Sequence, residues 1–270
     1  MTNHSQIMAN NRLTIPVLLL IITSCSLVKE NRDSCPCNLI VEITGIQDAP
    51  AMLLVKSARD SSYAELVSVS RDSVMTLYVP RGGVSLSAWA GSSLPEGSGE
   101  AFIIPDGSQS PPLYLYHGKV DTRGDLAYAP VRLSKQFCTL SLEVEGPPGW
   151  GTPIGSAVRG VACGISLTGA ILPGEFKYSP AVPPATTGDT VQMGSVRIPR
   201  QHPDSQLMLD IMMEDHVIRT FSLGPYLQNA GYDWTATDLQ DITVHMNLSV
   251  SDVTFTTPGQ SEPVSLTVDI

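Results

Sequence analysis

The sequence predicts an all-β protein built of two tandem β-sandwich domains. Apolar residues recur at every second position, or in short β-branched runs, within segments of four to eight residues bounded by Gly, Pro, Asp or Ser. This pattern is typical of strands joined by turns. No segment keeps the spacing of an amphipathic helix over ten or more residues. The segments form two series, and we therefore predict two sandwiches.

The first element along the chain is an apolar run near the N-terminus. Arg12 precedes residues 13–22, in which only Thr14 and Pro16 interrupt the apolar sequence. A basic residue followed by a short apolar run is typical of a secretory signal. The run is too short for a transmembrane helix, which needs about 20 apolar residues. We therefore expect export, with Met8 as an alternative start.

The apolar run leads into the sequence ITSC, an aliphatic residue and two small ones before Cys25. This order resembles the lipobox of bacterial lipoproteins, in which the cysteine receives a diacylglycerol group. We expect cleavage between Ser24 and Cys25 and lipidation of Cys25, since two acyl chains are enough for stable anchoring. Residues 1–24 are then a lipoprotein signal peptide, and residues 25–36 a lipidated tether. The alternative is an ordinary secretory signal with a chance cysteine.

The charge of the mature chain argues against a nucleic-acid partner. Without residues 1–24 the chain carries 15 Lys and Arg against 26 Asp and Glu, a net charge of −11. Nucleic-acid binding needs clustered Lys and Arg that displace counterions from phosphates. The sequence shows no basic patch of that kind.

Four further cysteines make disulfides a candidate feature of an exported protein. An even number of cysteines in such a protein permits three pairings, and a ring between the first two would be strained because they are so close in sequence. The sequence leaves the pairing open. The candidates are Cys35, Cys37, Cys138 and Cys163.

The first series of strands follows the tether and defines an N-terminal sandwich over residues 37–134. Seven segments between Leu39 and Val120 have strand character. They are LIVEITGI, MLLVKS, ELVSVS, SVMTLYVP, GVSLSAWA, AFIIP and LYLYHGKV. In the next stretch, DTRGDLAYAPVRLSKQ, the apolar spacing breaks down, so we place the domain boundary near Ser134.

The second series begins at Phe137 and defines a C-terminal sandwich over residues 135–270. Its strand segments are FCTLSLEVEG, VACGISLTG, TVQMGSVRIP, QLMLDIMME, VIRTFSL, DITVHMNLSV, VTFTT and VSLTVDI. The segment PYLQNAG at residues 225–231 has proline at its start and glycine at its end, which predicts one or two helical turns.

No group of residues predicts catalysis, a cofactor or a metal site. The Cys35-Pro-Cys37 pair lacks the C-x-x-C spacing, and neither a nucleophile elbow nor a phosphate-binding loop is present. Histidines occur singly and without zinc-ligand spacing, which favours ordinary surface or strand positions. These histidines are His117, His202, His216 and His245.

Two local patterns have simple structural interpretations. The sequence RGD at residues 123–125 spells an integrin-binding tripeptide, but its glycine also suits a turn. A cluster of carboxylates could in principle serve glycoside hydrolysis. We interpret these carboxylates as solvated strand ends and turns, and they are Asp204, Asp210, Glu214 and Asp215.

Four stretches together resemble the fimbrillin-type lipoproteins of Bacteroides-group bacteria, the family of minor fimbrial subunits that includes the fimbrial anchor proteins. They are CSLVKENRDSCPCNLIVEI, LYLYHG, VRLSKQFCTLSLEVEG and FSLGPYLQNAGYDWTATDLQDITVHMNLS. The resemblance extends from Cys25 to about Val250 and lies in their order and spacing.

This resemblance implies two transthyretin-like β-sandwiches and attachment to the outer membrane through Cys25. It implies a surface-exposed protein that holds a fimbria to the cell, with other fimbrial subunits as protein partners and no enzymatic activity. Stalk subunits of this class are processed at a basic residue, and here a cut at Arg32 would separate the lipid from the fold. We therefore expect an unprocessed anchor.

Sheet edges offer a physical route to subunit contacts, because a strand from another chain can pair with unpaired N–H and C=O groups. The last segment, PVSLTVDI at residues 263–270, could serve as such a strand. The simpler alternative is that it closes its own sheet.

A different function also fits the sequence, that of a surface adhesin or glycan-binding module, including a fimbrial tip subunit with a host protein or glycan as its partner. Tryptophans could stack on sugars, although tryptophans in sandwiches are commonly buried. The three are Trp89, Trp150 and Trp234.

Overall fold

The structure, a computed structural model, confirms the all-β prediction. It describes residues 35–46, 50–94, 99–145, 154–180, 190–204, 206–213, 216–247, 252–256 and 264–267. The first nine strands are β1 (Cys37–Thr44), β2 (Ala51–Ser57), β3 (Ala64–Val69), β4 (Ser73–Val79), β5 (Val84–Ala90), β6 (Ala101–Ile103), β7 (Tyr114–Val120), β8 (Leu126–Arg132) and β9 (Ser134–Lys135).

The remaining elements belong to the second half of the chain. The strands are β10 (Phe137–Glu145), β11 (Ile154–Ser166), β12 (Ile171–Tyr178), β13 (Thr190–Pro199), β14 (Met208–Met213), β15 (His216–Phe221), β16 (Ile242–Asn247), β17 (Asp252–Thr256) and β18 (Val264–Thr267). One short helix, α1 (Leu223–Asn229), follows β15. In the described part of the chain no helix has the length and apolarity needed to cross a membrane.

Two sheets of the first half enclose one core. Sheet A has the order β4-β1-β8, and sheet B the order β3-β2-β5-β7-β9. On β1, Leu39, Val41 and Ile43 are buried while the residues between them are more exposed, as expected when alternate side chains point to opposite faces. They pack with buried residues of β2 and β5 from sheet B, which makes the pair of sheets a sandwich.

Two further sheets enclose the core of the second half. Sheet C has the order β12-β11-β14-β15, and sheet D the order β13-β10-β16-β17-β18. The shared core contains Leu140 of β10, Val158 of β11 and Val196 of β13. The helix α1 contributes Leu223 and Leu227 to the same core.

The strand β6 crosses from the first half to the second. Its sequence belongs to the first predicted series, but in the structure it pairs antiparallel with β11 of sheet C. The backbone N–H of Ile104 donates to the carbonyl of Cys163 at 2.8 Å, and that of Leu167 donates to the carbonyl of Glu100 at 2.8 Å. The crossover therefore joins the two halves by main-chain hydrogen bonds.

An apolar cluster supports this joint. Trp89 and Leu115 on the outward face of sheet B pack with Phe102 from the crossover and with Ile165 and Leu167 from the second half. The rings of Trp89 and Phe102 meet edge to face with centroids 6.1 Å apart. Burial of this face fixes sheet B against the second half.

Three strands, β8, β9 and β12, lie where the sequence did not predict them. The region around β8 was interpreted as a break in the strand pattern, yet β8 pairs parallel with β1 and buries Ala129 and Val131. The strand β12 was missed because Pro173 and Gly174 interrupt it, and two register shifts accommodate them against β11. Small or strand-breaking residues weaken the strand pattern in the sequence. These segments still form strands because a neighbouring strand provides hydrogen-bond partners for their backbone.

The structure contains the predicted helical turns and supports one of the two alternatives for the last segment. Helix α1 begins two residues before Pro225 and ends at Asn229, and Gly231 follows with φ of +77°. The backbone of β18 pairs antiparallel with β17, so the last strand lies in its own sheet.

Candidate subunit-binding edge

The outer strands of the four sheets differ in how well they could accept another strand. An outer strand leaves every second N–H and C=O unpaired. Proline removes a donor and discourages pairing, and it occurs on β8, β12 and β13 as Pro130, Pro173 and Pro199. Among the outer strands with described side chains, β3, β4 and β15 contain no proline, and neither does β9, which has only two residues.

The strand β15 exposes two adjacent aliphatic residues at such an edge. Val217 and Ile218 are adjacent in sequence, yet 55% and 48% of their surfaces are exposed. The register with β14 shifts between Ile211 and Met212, so two residues of β15 stand where one would be expected. Such a bulge directs consecutive side chains to solvent. An edge with two exposed β-branched residues is suited to pairing with a strand of another chain.

A polar network holds β15 against β14. Thr220 Oγ1 donates to Asp210 Oδ1 at 2.6 Å, and Arg159 Nε donates to Asp210 Oδ2 at 2.8 Å. Burial raises the pKa of the Asp210 carboxyl, but the hydrogen bonds from Arg159 and Thr220 outweigh it and leave the pKa below its usual value. The ionised carboxylate thus ties three strands of sheet C together.

This network corrects one interpretation of the acidic cluster. Asp210 was expected to be a solvated residue, but only 6% of its surface is exposed. Its partner Arg159 lies on β11, 51 positions earlier in the chain. No local sequence pattern predicts that these two residues form an ion pair. Asp204 is exposed as expected, and Glu214 and Asp215 lie outside the described residues.

An open groove of about 490 Å³ lies beside the network on the same sheet. Its walls combine apolar groups with a few polar ones. Among the described residues none that lines it is aromatic, so they offer no stacking surface for sugars. The lining residues are Arg159, Gly160, Val161, Pro173, Gly174, Glu175, Gln206 and Met208.

The tryptophans do not provide a sugar platform in the described residues. Trp89 lies in the apolar joint between the halves, and Trp234 lies in the core of the second half against Tyr232, with ring centroids 4.8 Å apart. Both are buried. Trp150 lies outside the described residues.

The four disulfide candidates are free thiols in the structure, and no pairing left open by the sequence is formed. Cys37 lies in the core of the first half and Cys138 in that of the second. Cys35 is exposed, and Cys163 is half-buried with its Sγ 3.6 Å from the carbonyl oxygen of Pro173. Burial raises the pKa of Cys37, and it raises that of Cys138 to about 12.

These environments predict two classes of thiol reactivity. Because the thiolate is the reactive form, we expect Cys35 to react with a disulfide reagent in the folded protein, and Cys37 and Cys138 to react only after unfolding. Counting thiols in native buffer and in guanidinium checks this. The control is the same titration after reduction, and a gain of two thiols in denaturant on reduction would mean that a disulfide exists.

The remaining sequence motifs have structural roles. In the RGD tripeptide Arg123 Nε donates to Asp121 Oδ2 at 2.9 Å, and Asp125 pairs with Arg81. His117 lies 3.0 Å from Ser87 Oγ, and burial lowers its pKa. Within the described residues no group of three potential metal ligands comes together. Ser24 and Cys25 lie outside those residues, so cleavage and lipidation stay predictions.

Comparison with known proteins places the fold. No family model matches the chain, and no curated protein matches it in sequence. Among solved structures, a proposed polysaccharide-binding protein from Bacteroides thetaiotaomicron has a TM-score of 0.62 at 13% identity, covering 86% of this chain and 98% of that one. A proposed adhesin from Bacteroides ovatus has a TM-score of 0.60 at 13% identity, covering 85% and 95%.

The same fold occurs in the fimbrial anchor protein Mfa2 from Porphyromonas gingivalis. Its structure has a TM-score of 0.55 at 12% identity and covers 84% of this chain and 98% of that one. All three likenesses span nearly the whole of the other protein. At such identities they show that the fold is shared.

Proposed function

We propose that this chain is an outer-membrane lipoprotein that acts as a fimbrial anchor or minor subunit. In this role Cys25 carries the lipid, and exposed sheet edges bind other fimbrial subunits. The role is structural and requires no catalytic group. The observation that carries the proposal is the open edge of β15, on which Val217 and Ile218 are exposed.

Two further considerations support the proposal. The fold is shared with a protein whose name is that of a fimbrial anchor and with proposed adhesins. The sequence ITSC before the tether has the order of a lipobox. A fold that offers strand edges and a lipid at its N-terminus can connect a polymer of β-subunits to a membrane.

The glycan-binding alternative has weaker support. Two of the three tryptophans that could stack on sugars are buried, and no described residue that lines the groove on sheet C is aromatic. A shared fold with a proposed polysaccharide-binding protein does not supply the missing residues.

The lipid part of the proposal is tested by replacing Cys25 with alanine in the producing cell. We expect fimbriae to appear in the culture medium instead of on cells, because the two acyl chains that hold the anchor are lost. Electron microscopy of cells and immunoblots of the medium measure this. Fimbriae that stay on the cells at normal length would contradict the anchor role.

The edge part is tested by the pair of substitutions Val217→Lys and Ile218→Lys, since lysine on an outer strand opposes strand addition. We expect about tenfold less co-purified fimbrial subunit, which corresponds to about 1.4 kcal/mol. The matched control is Val161→Lys, because Val161 is also exposed on sheet C but lies on the inner strand β11. An equal loss in both variants would exclude the β15 edge.

A further inference from the structure

The outward face of sheet A carries large apolar groups that nothing in the described part of the chain covers. Tyr78 on β4 and Leu126 on β8 lie opposite Asn38 of β1. One row further along, Tyr128 lies opposite Ile40. Directly paired residues point to the same side of a sheet, so these side chains form one surface, here called the A face.

The exposure of the A face is unusual for its composition. Tyr78 and Leu126 are 69% and 64% exposed, and Val74 and Tyr128 are also largely exposed. Much of the equivalent outward face of sheet B is covered by the apolar cluster around Trp89. The first sandwich thus buries most of one outer face and leaves the other open. An open patch of this kind commonly marks an interaction surface.

The charge of the A face also sets it apart. The outward residues of the three strands include one acid, Glu42, and one base, Arg132. Tyr128 donates a hydrogen bond to Glu42, and Arg132 Nη2 donates to Asp238 at 3.1 Å. Among the outward residues of these strands one acid thus balances one base, with Asp238 beside Arg132, although the whole chain has a large excess of acids. An anionic membrane would repel such a weakly charged surface least.

The position of the tether identifies what can reach this surface. The chain enters β1 beside Asn38, and Arg81 Nε donates to the carbonyl of Cys35 at 2.8 Å. Tyr78 and Leu126 flank that entry point. Nine residues separate Cys25 from Cys35, and fully extended they span at most roughly 35 Å. A lipid on Cys25 thus keeps this end of the sandwich close to the bilayer.

We propose that the A face lies on the surface of the lipid bilayer. This inference rests on the proposed lipid anchor. Tyrosine suits the boundary between head groups and acyl chains because its ring is apolar and its hydroxyl is polar, and Leu126 and Val74 add apolar area. The contact sets the orientation of the first sandwich, so that the anchor stands in a defined direction instead of swinging on its tether.

The test compares side-chain oxidation by hydroxyl radicals in two samples. One is the full lipoprotein reconstituted in vesicles of phosphatidylethanolamine and phosphatidylglycerol, and the other is the Cys25→Ala chain in solution. We expect oxidation of Tyr78, Leu126 and Tyr128 to fall about threefold or more on vesicles, because groups in the interface are shielded from water. Leu66 on β3 of sheet B is the matched control, since it is 56% exposed, and its oxidation should not change.

The outcomes separate this proposal from the anchor role. The intact mass of the mature protein reports acylation independently. Acylated protein with equal oxidation in both samples would overturn the membrane contact and leave the anchor intact. A mature protein without acyl groups would overturn both the membrane contact and the anchor role. Protection that appears without vesicles and rises with protein concentration would assign the A face to a second copy of the chain.

A second variant checks that the A face itself causes the protection. We expect Tyr78→Ser with Leu126→Ser to return Tyr128 of the vesicle-bound protein to the oxidation level seen in solution. Both changes are at exposed positions and spare the core. If Tyr128 stays protected in this variant, the A face does not make the contact.

Discussion

Alanine at position 164 is expected to lower the free energy of unfolding by about 3 kcal/mol, at the upper end for overpacking a tight site. A Cβ on Gly164 would lie 2.2 Å from the carbonyl oxygen of Phe102 and 3.2 Å from Cα of Ile103. These atoms belong to the backbone of β6 and cannot turn away as a flexible side chain could. The substitution should therefore push β6 from β11 and loosen the joint between the two halves.

Gly155→Ala on the same strand is the matched control. A Cβ there would meet Met212 at 3.4 Å and 3.5 Å, which is ordinary contact. Urea unfolding followed by circular dichroism gives both stabilities. Tryptophan fluorescence adds a local readout, because Trp89 packs on Phe102 next to the altered contact. Equal stability of the two variants would show that the crossover does not depend on the close approach at Gly164.

Replacing Trp234 with alanine is expected to lower the free energy of unfolding by about 4 kcal/mol, which lies in the range for truncating a buried aromatic residue. The ring fills the core of the second half and meets Tyr232 edge to face. The backbone carbonyl of Trp234 also accepts a hydrogen bond of 2.5 Å from Arg200 Nη1. Loss of the ring should therefore leave a cavity beside the hydrogen bond between Arg200 and the backbone carbonyl of residue 234, which the alanine variant retains.

Trp234→Phe provides the comparison within the same position. The indole Nε1 has no hydrogen-bond partner among the described residues. Replacement by phenylalanine therefore removes side-chain volume but no hydrogen bond, and it should lower the free energy of unfolding by about 1 kcal/mol. Urea unfolding measures the difference. If the alanine variant kept its stability and lost binding to a glycan, the buried assignment of Trp234 would be wrong and the glycan-binding hypothesis would regain support.

The strand pattern could be predicted from sequence because it is local. Alternation such as Leu39, Val41 and Ile43 is visible within eight residues and reflects one face turned to a core. The helix α1 was visible for the same reason, through Pro225 and Gly231. The strands β8 and β12 escaped prediction because alanine, proline and glycine carry little local strand preference, and their pairing comes from partners elsewhere in the chain.

The candidate edge was beyond sequence prediction for a different reason. Val217 and Ile218 are consecutive apolar residues, which in most strands would mean that one of them is buried. Only the bulge against β14 turns both to solvent, and only the order of sheet C makes β15 its outer strand. Neither the register nor the order of strands is encoded in the segment itself.

The sequence by itself determined the all-β class, the succession of strand segments and the expectation of a lipidated N-terminus, because each depends on residues close together in the chain. The tertiary structure alone decided that β6 pairs across the two halves, that Cys37 and Cys138 lie in separate cores and that Trp89 and Trp234 are buried. It also decided which faces and edges remain open. The pairing of strands depends on the total apolar area that whole sheets bury together. This area includes residues far apart in the chain, such as Leu140 and Ile242 on paired strands.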